Sequence, residues 1–217
     1  MIKRVVCGVV LIGIFGVSIC SASIFDDLSA FNKANRRELR DQMQNFHEVD
    51  QGSLYRSQQL LPEVLKSYIK RFGIKTLINL RGFGREETTW YEKEAAMTKE
   101  WGVVFHSIPM SATVLSEKKH LIELLSIYDT AARPILVHCL GGADRTGEAS
   151  ALWVLEVQKK SKEEALKQLA ITYGHRKLIN SAKDFLIQIW RGREWLAKEY
   201  NPADYPWFCR KTDENAA

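Results

Sequence analysis

A short run of residues near position 140 has the composition of a phosphoryl-transfer site. The run Val137–Gly147 reads VHCLGGADRTG and places Cys139 six residues before Arg145. A cysteine that starts a glycine-rich loop, close to an arginine and a helix N-terminus, is expected to react as the thiolate. The arginine guanidinium can bind two oxygens of a tetrahedral oxyanion at once. The run therefore predicts that Cys139 attacks a phosphoryl group.

The elements on either side of this loop are expected to shape an anion site. The apolar stretch 134–137 predicts a strand, and the residues from Arg145 onward predict a helix. A strand, a tight turn and a helix N-terminus in succession direct backbone N–H groups toward one point. Gly141 and Gly142 permit the turn and leave room for a phosphate to approach the backbone. The backbone groups expected to bind the phosphoryl oxygens are those of Leu140, Gly141, Gly142 and Ala143, continuing to Arg145.

The neighbouring residue types argue against a chance occurrence. A cysteine and an arginine at this spacing alone carry little information. His138 before the cysteine and Thr146 after the arginine lower the chance expectation below roughly one chain in a thousand. The competing interpretation is a small apolar cysteine that ends a buried strand, with an arginine that opens a surface helix. That interpretation gives no reason for Gly141-Gly142 or for Thr146-Gly147.

The loop also resembles the signature of a known enzyme family. The pattern HCx5RTG at 138–147 is similar to that of the cysteine-based phosphatases, which act on protein tyrosine and, in several branches, on phosphoinositides or inositol phosphates. The segments 54–58 (LYRSQ) and 78–81 (INLR) resemble the atypical dual-specificity phosphatases of plants, fungi and bacteria. The resemblance covers residues 52–156 and implies a phosphocysteine intermediate.

The resemblance implies roles for residues around the nucleophile. His138 is expected to support the loop and the thiolate rather than to act as a general base. The Thr146 hydroxyl is expected to bond the sulfur and make it a better leaving group in the second step. By its position rather than by the resemblance, Arg81, at the end of a predicted strand, is expected to widen a positively charged rim that binds the substrate; an ordinary surface charge is the alternative.

The proton donor for the leaving group is less clearly marked. Many relatives carry this acid between the last two strands, but residues 109–116 contain neither Asp nor Glu. Myotubularin-like lipid phosphatases and a secreted mycobacterial group resemble this chain at Asp144 and use that aspartate, which makes Asp144 the predicted acid. Asp144 could instead cap the helix or pair with Arg145. The reserve acids are Glu117 and, behind it, Glu86 and Glu87.

Periodicity in the rest of the chain predicts an α/β fold, with a mostly parallel sheet of four to five strands and helices on both faces. Ligands bind such sheets beyond the carboxyl ends of the strands, where the cysteine loop and Arg81 both fall. Ser116 is expected to cap the helix that follows it. The predicted strands are 54–57, 75–80, 103–108 and 134–138; the predicted helices are 61–72, closed by Gly73, then 86–101, 116–130, 146–159, 162–173 and 181–198.

The two ends of the chain differ in composition from its centre. Residues 1–22 carry Lys3 and Arg4, then an uncharged apolar run, then small residues, which is typical of a secretory signal. An uncleaved membrane anchor is the alternative. Both a signal and an anchor predict that the catalytic domain lies outside the cytoplasm. It would then be periplasmic, secreted or anchored to the membrane. The remaining predicted parts are a polar extension at 23–50, a catalytic domain at 51–200 and a C-terminal tail at 201–217.

Composition argues against several partners. The formal net charge of +5 suits an anionic substrate, and no basic run interleaved with aromatic residues predicts nucleic-acid binding. The five histidines lack metal-ligand spacing, so neither a metal nor another cofactor is expected. A disulfide between Cys139 and Cys209 would block the nucleophile. It is not expected, because the first cysteine belongs in a cleft and the second in a tail.

These features together predict a metal-independent phosphomonoesterase. Phosphotyrosine in protein is the first expected substrate, and a phosphoinositide or inositol phosphate is the alternative. A second hypothesis is a pseudophosphatase that binds phosphate without turnover. A third hypothesis, a sulfur-transfer or arsenate-reducing enzyme, usually requires another loop length or additional cysteines.

Overall fold

The computed structural model describes residues 38–82 and 88–208, together with the single positions 33 and 35. The chain divides into two units, residues 1–40 and 41–217. In the first unit the described residues are helical, and the second unit holds every element named below. No helix among the described residues is long and apolar enough to cross a bilayer. The signal or anchor predicted at 1–22, the reserve acids Glu86 and Glu87, and Cys209 lie outside the described residues.

A five-stranded sheet forms the centre of the second unit. The strands are β1 (His47–Asp50), β2 (Leu54–Ser57), β3 (Thr76–Asn79), β4 (Val104–Ser107) and β5 (Ile135–His138), in the spatial order β1-β2-β5-β3-β4. β1 runs antiparallel to β2, and all other pairs are parallel. The mostly parallel sheet is confirmed, and β5 lies at its middle with a neighbour on each side.

Seven α-helices surround this sheet within the described residues. They are α1 (Pro62–Phe72), α2 (Thr88–Glu100), α3 (Lys118–Thr130), α4 (Asp144–Glu156), α5 (Lys162–Leu166), α6 (Ser181–Ile189) and α7 (Arg193–Lys198). Because strand side chains alternate between faces, they build two separate cores. Leu77 and Leu136 pack with residues of α1, whereas Ile78 and Val137 pack with residues of α3, α4, α6 and α7. Helices on both faces are therefore confirmed.

Helix α1 shows how local signals set an element's ends. Pro62 stands in its first turn, where a backbone N–H has no helical acceptor to lose. Gly73 follows the helix in the left-handed region at φ 65°, and its N–H donates to the Ile69 carbonyl. The prediction that Gly73 closes this helix is confirmed.

Three predicted helices differ from the observed ones. The helix predicted at 162–173 ends at Leu166 and continues as two 3-10 turns. The helix predicted at 181–198 is two helices, because Gly192 between them has φ 96°, which a helix does not contain. The predicted cap Ser116 is wrong: α3 begins at Lys118, and the Ser116 hydroxyl donates to Glu148 Oε2 at 3.0 Å.

The packed structure extends beyond residues 51–200 on both sides. Strand β1 lies inside the predicted extension 23–50, yet it pairs with β2, and Phe46 beside it is buried in the core. The predicted tail begins at 201, but the Leu115 N–H donates to the Phe208 carbonyl at 2.9 Å. The Phe208 ring also stacks on Phe185. The folded domain therefore includes residues on both sides of 51–200.

Candidate active site

The cysteine loop lies at the carboxyl end of the central strand. β5 ends at His138, Cys139 follows it with 3% of its surface exposed, and α4 begins at Asp144. The loop is joined to the neighbouring strand end, because the Leu80 N–H donates to the His138 carbonyl at 2.9 Å. Parallel sheets bind ligands at this edge, as predicted for the loop and for Arg81.

The loop carries a set of hydrogen-bond donors that the fold does not use. In the part of the chain that the structure describes, no backbone N–H of residues 140–146 donates to a backbone carbonyl. Regular helical bonding begins with the Gly147 N–H and the Ala143 carbonyl, 2.8 Å apart. Unused N–H groups in a turn that runs into a helix N-terminus form an anion site. This is the arrangement predicted for binding phosphoryl oxygens.

Two side chains of the loop also have unused groups. Arg145 is half-buried, its Nη1 lies 3.5 Å from the Leu80 carbonyl, and its Nε has no hydrogen-bond partner among the described residues. The Thr146 hydroxyl is fully buried and likewise has no partner there. The bond from Thr146 to the sulfur, implied by the family resemblance, is therefore not made in this geometry.

The two glycines of the loop have different steric roles. Gly142 has φ 70°, and an added Cβ would lie 2.6 Å from the Gln58 nitrogen. Only glycine fits there, because both the backbone conformation and the neighbouring strand end exclude a side chain. An added Cβ at Gly141 would meet nothing within 4 Å. The turn therefore requires glycine at 142, whereas at 141 the surrounding protein leaves space.

Arg56 supports the loop from one face of the sheet. It is fully buried, donates through Nη2 to the Gly142 carbonyl at 2.8 Å and through Nη1 to the Gln168 carbonyl at 2.7 Å. Its guanidinium also lies over the Tyr173 ring, 4.0 Å from the centroid. Burial lowers the pKa of Arg56 to about 10, and electrostatic interactions with Tyr173 and Cys139 act in the opposite direction. Arg56 thus places a cation beneath the nucleophile.

Glu94 supports the loop from the other face. Its buried carboxylate accepts hydrogen bonds from Gln59 Nε2 and Asn79 Nδ2, each at 2.6 Å, and Oε1 lies 3.3 Å from His138 Nε2. Burial alone would raise the pKa of Glu94. The electrostatic attraction of the nearby His138 and the hydrogen bonds to the carboxylate outweigh burial and hold the pKa of Glu94 below its ordinary value. An ionised Glu94 therefore orients the histidine that precedes Cys139.

Sequence reasoning missed both supports. Arg56 entered only through the LYRSQ segment of the family resemblance, and Glu94 only as one position in the predicted helix 86–101. In each case the signal was a charged residue spaced among apolar residues. A charge at such a position requires a partner, but the sequence does not say which one.

Arg81 lies where it was predicted, beside the loop. Its Nη1 donates to Gln59 Oε1 at 3.1 Å and its backbone N–H to Asn79 Oδ1 at 2.7 Å, so it joins the hydrogen-bond network around Glu94. Arg81 also lines a cleft of about 430 Å³, together with Glu117. A predicted substrate-binding cation and a reserve acid thus share one cavity.

Asp144 is bound to a partner that the sequence analysis did not assign. Its Oδ1 lies 2.7 Å from His175 Nδ1, and His175 Nε2 lies 2.6 Å from Asp184 Oδ2. Burial would raise the pKa of Asp144, but hydrogen bonds from His175 and Asn180 hold it below its ordinary value. The two carboxylates outweigh burial at His175 and raise its pKa to about 9. At neutral pH the proton resides on His175, and Asp144 is a carboxylate.

No group of three or more His, Cys, Asp or Glu in the described residues is placed to hold a metal ion. A family match covers most of the chain. The family described as DSP-PTPase phosphatase fused to NAD+ kinase matches residues 25–185. No curated protein sequence matches the chain. The family match confirms the resemblance to the cysteine-based phosphatases.

Solved structures of phosphatases share this fold. The core catalytic domain of the PP-IP phosphatase Siw14 from S. cerevisiae, in complex with citrate, is 22% identical, with a TM-score of 0.58 over 69% of this chain and 87% of that chain. TpbA from P. aeruginosa, in complex with phosphotyrosine, is 20% identical, with a TM-score of 0.56 over 69% of this chain and 86% of that chain. PTPMT1 in complex with PI(5)P is 16% identical, with a TM-score of 0.53 over 66% of this chain and 94% of that chain. The predicted fold class is thereby confirmed.

Proposed function

Because the chain belongs to the family described as DSP-PTPase phosphatase fused to NAD+ kinase, and so to the cysteine-based phosphatases, we propose that it hydrolyses phosphomonoesters through a phosphocysteine on Cys139. One observation carries the proposal. The backbone N–H groups of residues 140–146 and the Arg145 Nε, beside a buried cysteine, have no acceptor in the described part of the fold. Such donors suit the three non-bridging oxygens of a phosphoryl group, where charge must be stabilised during transfer.

The first step transfers the phosphoryl group to sulfur. The Cys139 thiolate attacks phosphorus, an S–P bond forms, and the P–O bond to the leaving group breaks. The leaving oxygen takes a proton from a general acid, which typically accelerates such a step about 10²–10⁴-fold. The fixed N–H groups and Arg145 hold the phosphoryl oxygens throughout, so they need not reorganise.

The second step releases phosphate. Water attacks phosphorus, gives one proton to the residue that acted as acid, and the S–P bond breaks to restore the thiolate. The buried hydroxyl of Thr146 is proposed to turn toward the sulfur at this stage and stabilise its developing charge. His138, held by Glu94, keeps the cysteine backbone in place in both steps.

The general acid remains a prediction divided between Asp144 and Glu117. Asp144 is next to Arg145 in the loop, but to act as an acid it would need a proton that its environment assigns to His175. Glu117 lines the cleft with Arg81 and pairs with the exposed Lys119 at 2.8 Å. The leaving-group test in the Discussion separates these two residues.

Two substrate classes are proposed, both phosphomonoesters. Phosphotyrosine in protein is the first, from the family resemblance of the loop. A phosphoinositide or inositol phosphate is the second, because Arg81 at the cleft offers a cation for a second phosphate. Siw14 is a PP-IP phosphatase, TpbA binds phosphotyrosine and PTPMT1 binds PI(5)P, and these likenesses support both classes. We also propose export, from the basic, apolar and small residues of segment 1–22.

The test is hydrolysis of p-nitrophenyl phosphate by the full chain in EDTA, with vanadate as inhibitor. We expect turnover that Cys139→Ser reduces to background and Arg145→Ala nearly abolishes, since these changes remove the nucleophile and the oxyanion contact. Tight phosphate binding by an inactive wild-type protein would instead support a pseudophosphatase. Mass spectrometry of the exported protein decides whether residues 1–22 are removed.

A further inference from the structure

An exposed turn of mixed basic and apolar character lies beside the catalytic loop. We call it the tip; it comprises Arg176, Lys177, Leu178 and Ile179, all exposed. Leu178 is 99% exposed and Ile179 65% exposed. The turn is closed at its base, because the N–H groups of Ile179 and Asn180 both donate to the Arg176 carbonyl at 2.9 Å.

The tip is attached to the catalytic loop through His175. His175 precedes the tip, and its Nδ1 lies 2.7 Å from Asp144 Oδ1. Its Nε2 lies 2.6 Å from Asp184 Oδ2 in α6, the helix that follows the tip. Asp144 is the residue before Arg145, so the tip has a fixed position relative to the phosphate-binding donors. Whatever the tip contacts is therefore held next to the nucleophile.

The apolar residues of the tip are unusual for a solvent-facing turn. Single exposed aliphatic side chains are common, but two adjacent ones at this exposure are not explained by chance scatter. Two more stand on the adjoining elements: Leu140 in the catalytic loop is 57% exposed, and Ile171 in the 3-10 turn before His175 is 73% exposed. Exposed apolar groups in one region mark a contact surface.

The charges of the tip indicate which surface it contacts. Arg176 and Lys177 precede the two aliphatic residues, and the tip contains no acid. The Lys177 side chain is 66% exposed, with its Nζ 4.0 Å from Asp184 Oδ1, so its charge remains largely available. Aliphatic side chains that enter the acyl boundary beside cations that meet lipid phosphates are the usual elements of interfacial binding.

We propose that the tip docks the protein on an anionic phospholipid bilayer and presents the catalytic loop to phosphorylated headgroups. Leu178 and Ile179 enter the interface, and Arg176 and Lys177 bind anionic lipid. This inference rests on the phosphomonoesterase activity proposed above and favours lipid substrates over phosphoprotein. It concerns where the enzyme acts, so it can fail while the activity itself stands.

The test compares full-length variants on vesicles and in solution. The substrate is a phosphoinositide monophosphate in phosphatidylcholine vesicles with or without phosphatidylserine, and the soluble controls are its short-chain form and p-nitrophenyl phosphate. We expect the double change Leu178→Asp, Ile179→Asp to lower vesicle hydrolysis by about tenfold or more. Arg176→Glu with Lys177→Glu should remove the acceleration by phosphatidylserine, about fivefold for each charge. Both should leave the soluble rates within about twofold.

A matched control separates the tip from the rest of the surface. Ile122→Asp makes the same change at an aliphatic residue of α3 that is 45% exposed, and it should alter no rate. Every protein in the comparison keeps the same N-terminal segment, so differences report the tip. Equal vesicle rates for wild type and tip variants, with soluble activity intact, would overturn the docking inference. Absence of any soluble activity in the wild type would overturn the proposed function instead.

Discussion

The catalytic loop has two kinds of support, and they differ in their access to water. On the sheet side, Arg56 and Glu94 are 0% and 2% exposed and hold Gly142 and His138. On the outer side, the Asp144 side chain is 20% exposed and leads through His175 to the tip. Buried polar bonds in a low dielectric cannot be exchanged for bonds to water without a large cost. The inner support therefore fixes the donors for chemistry, and the outer support can respond to pH and to a surface.

The largest effect is expected from Arg56→Met, which removes the inner cation. The carbonyls of Gly142 and Gln168 would lose their buried donor. Each unpaired buried acceptor costs about 1–3 kcal/mol, so we expect the free energy of unfolding to fall by about 3 kcal/mol or more. Urea denaturation measures the stability, and p-nitrophenyl phosphate kinetics should show a loss of kcat. Arg56→Lys keeps the charge but cannot donate to both carbonyls in the same geometry. Its stability and its kcat should lie between those of the wild type and those of Arg56→Met.

Glu94→Gln should have the next largest effect, mainly on kcat. The NH₂ group of the new glutamine would face the NH₂ group of Gln59 or of Asn79, so two donors would meet. Neither Gln59 nor Asn79 can rotate its amide to present its oxygen instead, because that oxygen accepts a hydrogen bond from Arg81. One unsatisfied buried donor costs about 1–3 kcal/mol, or roughly 5- to 150-fold in rate if the cost falls on the transition state. A merely structural defect would lower stability with no change in the kcat of the folded fraction.

The pH dependence gives a second readout for Glu94. Its folded pKa lies below the unfolded value, so its contribution to stability is present above about pH 4.5 and is lost as the pH falls through the folded pKa. Glu94→Gln should therefore remove part of the acid destabilisation seen in the wild type. Identical acid unfolding curves for the two proteins would contradict an ionised Glu94.

Asp144→Asn separates outer support from acid catalysis. The pairing with His175 predicts similar and modest losses, about tenfold or less, for p-nitrophenyl phosphate and for an alkyl phosphate. An acid role predicts a selective loss of about 10²–10⁴-fold for the alkyl phosphate, whose leaving group needs the proton. The matched variant Glu117→Gln, measured on the same pair of substrates, shows whether the carboxylate in the cleft supplies that proton.

The smallest effect on soluble activity is expected from raising the pH, which should release the tip. The pKa of His175 is raised to about 9, so its stabilising contribution is complete below about pH 6.5 and is lost as the pH rises through about 9. The protection of the amides of residues 176–179, measured as exchange relative to the intrinsic rate at each pH, should fall over this window while the loop near Cys139 stays protected. In His175→Gln the protection should already be low at neutral pH and should not change further, and constant protection in the wild type would contradict the ion pair.

Sequence reasoning identified the loop because its residues are close together in the chain. The short spacing between Cys139, Gly142 and Arg145 is enough to indicate an anion-binding loop. The predicted alternation of strands and helices then placed this loop at the correct edge of the sheet. Glu94 and His175 act across 44 and 31 residues, on His138 and Asp144, and no local pattern encodes such contacts.

The helix boundaries failed for a related reason. Residues 162–173 and 181–198 have helical composition, but tertiary packing decides where such segments break. An added Cβ at Gly147 in α4 would lie 2.7 Å from Leu169 Cδ2, so the chain at 167–169 is packed closely against α4, where it takes a 3-10 turn. Gly192 was the one local sign of the second break, and a glycine inside a helical pattern does not by itself end a helix.

Strand alternation keeps the two inner charges apart. Ser57 pairs with His138 and Arg56 with Val137, so the arginine and the histidine project to opposite faces of one sheet. The sheet thus separates the Glu94 carboxylate, which lies beside His138, from the Arg56 guanidinium, and the two do not form an ion pair with each other. Substitutions on one face of the sheet therefore need not disturb the other face. A different acid–base pair at positions 94 and 138 would leave Arg56 and its hydrogen bond to Gly142 unchanged. The position of the catalytic loop can thus be altered separately through Arg56 on one face of the sheet and through Glu94 on the other.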